Sequence, residues 1–147
     1  MEHRKFMTLA LAQAKKAGEQ GEIPVGAVIV KNGEIISESH NETEKRNSPL
    51  AHAEFLAIQK ALEKNSAKYL SDCTLYVTLE PCPMCMGAIL HARVGSIVFG
   101  AYDEKTGSAG TRADLSDFSF FKKPNIIGGY MENECAELLT EFFRSVR

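Results

Sequence analysis

The sequence has no long apolar run, no internal repeat and no marked excess of charge of either sign. No apolar stretch approaches the roughly 18 residues that a membrane-spanning helix needs, and the first residues lack a signal-peptide pattern, so we expect neither a membrane span nor secretion. The net charge of −2 does not favour a general nucleic-acid-binding surface, because such domains are often basic. Cysteine is also scarce, with four residues and no disulfide-like rhythm. This indicates a reducing compartment, and we expect the cytoplasm.

What remains is an ordinary globular composition, 44% hydrophobic over 147 residues, and we expect a single domain over residues 1–147. Apolar periodicity predicts helices over about 2–18, 51–64, 83–92 and 131–145 and strands over 25–30, 34–39, 73–78, 96–100 and 125–127. We expect Gly18 to end the first helix and Asn32-Gly33 to turn a hairpin. This order of elements predicts an α/β fold, a three-layer α/β/α sandwich with a mixed five-stranded sheet.

Two cysteines three residues apart form the most informative stretch. Cys82 and Cys85 are followed by the apolar run 86–90, and Pro83 between them suits the first position of a helix, where no backbone hydrogen bond is lost. The pair therefore lies one turn apart at a helix N-terminus, whose positive dipole end stabilises thiolates. Because redox pairs share this spacing, the pair alone is weak evidence for a metal site.

A third ligand stands thirty residues upstream, where His52 lies in the run Ala-His-Ala-Glu. One imidazole and two thiolates make three protein ligands, and zinc prefers four. The other candidates show no paired metal-ligand spacing; they are Cys73, Cys135, His3, His40 and His91. We therefore expect an open, catalytic zinc site rather than a closed structural one.

Glu54 lies two residues after His52 and completes the arrangement. Its carboxylate is suited to move a proton between a water molecule and the group under attack. Residues i and i+2 do not share a helix face, so His52 must stand at the very start of its helix if both side chains are to reach the metal. The combination of His-x-Glu with Pro-Cys-x-x-Cys is a known signature of zinc-dependent nucleobase deaminases.

Over nearly its whole length the chain resembles the cytidine/deoxycytidylate deaminase superfamily, and within it the bacterial tRNA-specific adenosine deaminases. The shared segments, in chain order, are 23–27, His40-Asn41, 51–54, 75–82, Met84-Cys85, Gly87-Ala88, 98–101, Asp103 with 105–110, 134–136 and 142–144. The zinc motifs are common to the superfamily. The Lys-Thr-Gly loop at 105–107 and the Phe-Phe-Arg tail at 142–144 are closer to the tRNA branch.

The resemblance implies hydrolytic deamination of adenosine to inosine at the wobble position (34) of a tRNA anticodon loop, by a zinc-dependent homodimer. It implies that His52, Cys82 and Cys85 hold one Zn²⁺ per subunit and that Glu54 is the catalytic proton shuttle. The implied substrate contacts are Asn41, Pro24, Leu79, Glu80, Asp103, Lys105, Phe142 and Phe143. Three of these have ordinary alternatives: Asn41 can satisfy its own loop, and Phe142 and Phe143 can belong to the core.

Three departures from the family pattern and two rival functions stay open at this stage. The segment 120–125 lacks the usual His-Pro and Asn-His pairs, Tyr102 replaces a common arginine, and Glu42 follows His40-Asn41. A deaminase of a free base, nucleoside or nucleotide would use the same chemistry with other pocket contacts. A zinc-stabilised, non-catalytic interaction domain would need a fourth protein ligand, such as Cys73.

Overall fold

A computed structural model of the chain describes residues 2–118 and 120–146, which build one sheet between two pairs of helices. The helices are α1 (His3–Glu19), α2 (Ala53–Lys64), α3 (Pro83–Ala92) and α4 (Glu132–Ser145). The strands are β1 (Gly26–Lys31), β2 (Glu34–His40), β3 (Cys73–Leu79), β4 (Ser96–Ala101) and β5 (Asn125–Ile127). A 3-10 turn, Leu115–Asp117, interrupts the long connection between β4 and β5.

The strands lie in the order β2-β1-β3-β4-β5. β1 pairs antiparallel with β2 and β3, whereas β3, β4 and β5 run parallel to one another. The predicted hairpin turn is present, with Asn32 and Gly33 at φ values of 52° and 78°. Both residues are left-handed there, as a two-residue turn between right-twisted strands requires.

The core fills both sides of the sheet and thereby defines three layers. On one side α2 and α3 pack on alternate strand residues such as Ile29, Leu75 and Ile97. On the other side α1 and α4 cover the intervening positions, including Val28 and Tyr76. The predicted three-layer sandwich with a mixed five-stranded sheet is confirmed. Within the described residues, no helix combines the length and the apolar character that crossing a membrane demands.

The element boundaries follow the sequence predictions with small differences. The predicted bounds of α3 and β5 match the structure. The prediction that Gly18 ends the first helix is wrong, because α1 continues to Glu19 and the backbone N–H of Gln20 closes its last turn. The second helix begins at Ala53 rather than at residue 51, because His52 has extended backbone angles and serves as the N-cap.

The topology gathers the chemistry-bearing residues at the carboxyl end of β3. α3 begins four residues after β3 ends, and α2 lies beside it on the same face of the sheet. In parallel α/β arrangements, ligand sites form outside the carboxyl ends of the strands. Leu79, the last residue of β3, lines the cavity that forms there.

Candidate metal centre

Three ligand-bearing side chains converge from two helix N-termini. His52 is the N-cap of α2, Cys82 is the N-cap of α3, and Cys85 lies one turn further along α3, after Pro83 in the first turn. The Nδ1 atom of His52 lies 3.6 Å from the Sγ atom of Cys82 and 3.5 Å from that of Cys85. The sequence prediction that these three residues meet is confirmed.

The spacing of these atoms fits zinc. Tetrahedral zinc, with bonds of about 2.3 Å to sulfur and about 2.0–2.1 Å to nitrogen, holds the two kinds of ligand atom about 3.6 Å apart. Among residues 2–118 and 120–146, these three residues are the one His/Cys/Asp/Glu group whose ligand atoms lie mutually within 4.8 Å. Within the part of the chain that the structure describes, no fourth protein ligand joins the group, as expected for a catalytic zinc site.

The remaining candidate ligands are engaged elsewhere. Cys73 and Cys135 are buried at 2% and 1% exposure, as small apolar side chains are. Nδ1 of His3 lies 2.7 Å from the Tyr76 hydroxyl, Nδ1 of His40 lies 3.1 Å from a backbone carbonyl oxygen, and His91 packs edge-on against Phe121. A closed structural zinc site with Cys73 as fourth ligand therefore finds no support in the described residues.

The pKa values of the two cysteine thiols are shifted in opposite directions. Hydrogen bonding from the Cys85 thiol, opposed by burial and assisted by His52, lowers the pKa of Cys82 to about 4. The same hydrogen bond, together with burial, raises the pKa of Cys85. The hydrogen bond with Cys82 also raises the pKa of His52, against the effect of burial. The surroundings thus favour the thiolate form of Cys82, and thiolate is the form of cysteine that binds metal.

Glu54 lies in the first turn of α2, beside the three ligands and only 4% exposed. Burial is the main influence on its carboxyl and raises the pKa of Glu54 to about 7. His52 and Glu54 both reach the cavity because the extended backbone of His52, with ψ at 150°, does not continue the helix. The expected placement of His52 at the very start of its helix is confirmed.

A cavity of about 190 Å³ opens onto this centre. Its lining residues are Ile23, Val25, Asn41, His52, Ala53, Glu54, Leu79, Glu80, Cys82, Asp103 and Thr106. Ligand pockets for drug-sized molecules typically measure about 300–1,000 Å³, so this cavity suits one heterocyclic base rather than a whole nucleotide.

Asn41 lies in the cavity wall and also supports its own loop. Its Nδ2 donates to the carbonyl oxygen of Ile23 and its Oδ1 accepts from the backbone N–H of Thr43. A primary amide has two N–H donors and two lone pairs, so one donor and one acceptor site stay available for a ligand. The carboxylate of Glu22, 1% exposed, accepts from the backbone N–H groups of Glu44 and Lys45 and holds the same loop.

Four of the residues expected to contact substrate do not line the cavity. Pro24 and Phe142 instead border a groove between α1 and α4, and Phe143, 45% exposed, packs edge-on against Phe142. Lys105 is exposed on the loop that follows β4.

Sequence reasoning missed several residues of the site. Thr106 and Ala53 also line the cavity. Both are next in sequence to residues that were expected in the site, and this position in the chain could have identified them. Ile23 and Val25, the neighbours of Pro24 in the same motif, line the cavity, whereas Pro24 does not. Glu22 gave no signal, because a glutamate in a polar loop is usually exposed.

The whole chain, residues 1–147, matches the family model of MafB19-like deaminases. The tRNA-specific adenosine deaminase of Bacillus subtilis (strain 168) is 46% identical over 143 residues, which cover 97% of this chain and 89% of that protein.

Two solved structures resemble the fold at comparable identity. One, from a study of A-to-I editing by tRNA:A34 deaminases at the wobble position of transfer RNA, has a TM-score of 0.88 at 40% identity and covers 92% of this chain and 99% of that one. The other, a guanine deaminase from Bacillus subtilis, has a TM-score of 0.67 at 42% identity and covers 79% of this chain and 74% of that one.

Proposed function

The chain belongs to the MafB19-like deaminase family, and we propose that it hydrolytically deaminates adenosine to inosine at wobble position 34 of a tRNA. It is in that case a hydrolase that acts on a C–N bond of an amidine. The reaction consumes one water molecule and releases ammonia. The observation that carries the proposal is the near-full-length similarity to tRNA-specific adenosine deaminases, in sequence and in structure.

His52, Cys82 and Cys85 hold the zinc ion in this proposal, and their spacing supports the assignment. When bound, zinc supplies Lewis-acid activation of a water molecule at neutral pH. The Glu54 carboxylate takes a proton from the water that attacks C6 of the adenine ring and delivers it to the ring nitrogen N1. The same carboxylate then takes the second proton from the hydroxyl now on C6 and passes it to the amino group, so that the C6–N bond breaks, ammonia leaves and the C6 carbonyl of inosine forms. Such general acid–base work contributes about 10²–10⁴-fold to the rate.

The cavity wall supplies the contacts that orient the base. We assign the free donor and acceptor of Asn41 to a base edge or a ribose hydroxyl, and Leu79 to an apolar contact with the ring. Anticodon loops present bases that unstack at low cost, so a cavity sized for one base is sufficient. Lys105, exposed beside the wall, is assigned to a backbone phosphate.

Pro24 and Phe142 are assigned to packing between α1 and α4, because they border that groove and not the cavity. Phe143 is assigned to the same packing through its edge-on contact with Phe142. The substrate contacts expected for these three residues from the sequence stay predictions, because a tRNA extends beyond a cavity sized for one base.

We also propose that residues 1–147 act as one domain, that two copies form a homodimer, and that the enzyme works in the cytoplasm. The outer face of α2 and α3 supports the dimer, because side chains such as Phe55, Leu62 and Ala88 form an apolar surface there with few charges. A second copy would cover this surface, and sedimentation of wild type against Leu62→Glu tests that arrangement. The four free cysteines suit the reducing cytoplasm.

A free base, guanine in particular, is the second candidate substrate, favoured by the 42%-identical guanine deaminase structure. The deciding experiment gives the purified zinc-loaded protein an anticodon stem-loop with adenosine at position 34, and separately guanine, cytosine and adenosine. Our proposal predicts inosine in the stem-loop and no comparable turnover of the free compounds. Turnover of guanine with an unchanged stem-loop would contradict it.

A further inference from the structure

The loop that follows β4 forms part of the cavity wall although it has almost no regular secondary structure. Asp103 and Thr106 line the cavity from this loop. The carboxylate of Asp103 accepts from the backbone N–H groups of Lys105 and Thr106 and from the Thr106 hydroxyl, which makes a tight local turn. This turn does not by itself fix the loop to the body of the protein, so another group must do so.

That group is the carboxylate of Glu80, which is 1% exposed. Its Oε1 accepts from the backbone N–H of Asp103 at 3.1 Å and from the Thr111 hydroxyl. Its Oε2 accepts from the backbone N–H groups of Ala109 and Thr111, both at 3.1 Å. All four partners are donors from one loop, so the carboxylate joins the end of β3 to both ends of segment 103–111.

Gly107 shows how closely the loop is drawn onto this carboxylate. A Cβ atom at Gly107 would collide with Oε1 of Glu80 and with the carbonyl oxygen of Asp103. The backbone N–H of Gly107 also donates to that carbonyl at 2.9 Å, and the N–H of Ser108 donates to the carbonyl oxygen of Pro81 at 2.9 Å. The segment is therefore seated against residues 80 and 81, directly before the metal ligand Cys82.

We propose that Glu80 is a positioning residue that sets how the substrate base is bound. It does so by holding segment 103–111 so that Asp103 and Thr106 stand in the cavity wall. The sequence suggested a direct substrate contact for Glu80, but its carboxylate is already occupied by four loop donors. This inference rests on the proposed function, because the base that the wall positions is the adenosine of the tRNA.

The variant Glu80→Gln tests the inference with little change in side-chain volume. An amide offers only one acceptor oxygen, so its NH₂ group must face either the backbone N–H of Asp103 or the two backbone N–H groups of Ala109 and Thr111, and at least one backbone contact must break. We expect KM for the anticodon stem-loop to rise about tenfold, as for the loss of one charge-assisted hydrogen bond, while kcat and zinc content change less than about twofold. An unchanged KM overturns the inference, and so does a fall in kcat accompanied by zinc loss.

The matched control is Asp114→Asn, the same carboxylate-to-amide change in the same loop. Asp114 accepts from Ser116 and does not contact Glu80, so we expect its KM to stay at the wild-type value. A KM that rises equally in both variants would mean that any loosening of the loop has this effect, and would overturn the specific role of Glu80. Should Glu80→Gln fail to fold, Gly107→Ala replaces it, with the same increase in KM expected.

Amide hydrogen exchange gives a readout that does not depend on catalysis. In the wild type we expect the N–H groups of Asp103, Ala109 and Thr111 to be protected, and in Glu80→Gln to exchange about tenfold faster or more. Unchanged protection overturns the inference even if KM rises. If the wild type does not deaminate the stem-loop, the proposed function fails, and exchange still decides whether Glu80 holds the loop.

Discussion

Replacing Glu54 with glutamine separates proton transfer from metal binding. The side chain is 4% exposed and is not one of the three clustered ligands. An amide of nearly equal volume creates no cavity and removes no zinc ligand, but it cannot accept the proton of the attacking water. We expect kcat to fall by about 10²–10⁴-fold, equivalent to about 3–5 kcal/mol on the barrier.

The fold should tolerate this change. Burial raises the pKa of Glu54 to about 7, which means that the surroundings disfavour the charged carboxylate and accept a neutral group at least as well. We therefore expect the thermal unfolding temperature and the zinc content of Glu54→Gln to be no lower than those of the wild type.

The assay is single-turnover formation of inosine in an anticodon stem-loop, with zinc measured on the same samples by mass spectrometry. Single-turnover conditions are needed because product release limits kcat in many enzymes. A variant that keeps its zinc and still reacts within tenfold of the wild-type rate would refute the role assigned to Glu54. Loss of zinc from the variant would instead show that the carboxylate holds the metal.

Three further predictions concern the metal ligands and the core. Cys82→Ser should lower zinc affinity by at least about tenfold, measured by chelator competition. It should also lower the unfolding temperature, measured by calorimetry, because metal binding stabilises the folded state. Unchanged affinity would show that Cys82 is not a zinc ligand. After chelation at pH 7, iodoacetamide should label Cys82 before Cys135, since the pKa of Cys82 is lowered to about 4 and burial raises that of Cys135 to about 12; peptide mass mapping gives the order, and labelling of Cys135 before Cys82 would contradict it. Gly100→Ala should destabilise the fold by about 1–3 kcal/mol in urea titrations, because its Cβ would collide with Sγ of Cys135; unchanged stability would show that α4 shifts freely.

The features that could be predicted from sequence depend on short-range rules. Pro83 and the Cys-x-x-Cys spacing located α3 to the residue, because proline at the first turn and cysteines one turn apart admit few other arrangements. Asn32-Gly33 located the hairpin for a similar reason, since few residue pairs accept two left-handed positions. The convergence of His52 with Cys82 and Cys85 could be predicted because a zinc site needs at least three protein ligands and a cysteine pair supplies only two.

The features that could not be predicted depend on contacts between distant segments. Glu80 meets donors 23 to 31 residues away, and no local pattern shows that a carboxylate beside the zinc motif is occupied by a loop. The position of Phe142 depends on how α4 packs against α1, which periodicity leaves undetermined. Its neighbour Phe143 also lies outside the cavity, although the tail motif suggested a substrate contact.

Hydrolytic deamination of the wobble adenosine is tested most directly by running the stem-loop reaction in water labelled with ¹⁸O and analysing the RNA by mass spectrometry. Attack of water on C6 predicts inosine at position 34 alone, with one heavy oxygen in its base, in the wild type. An unmodified adenosine 34, or an inosine without the label, would contradict the account.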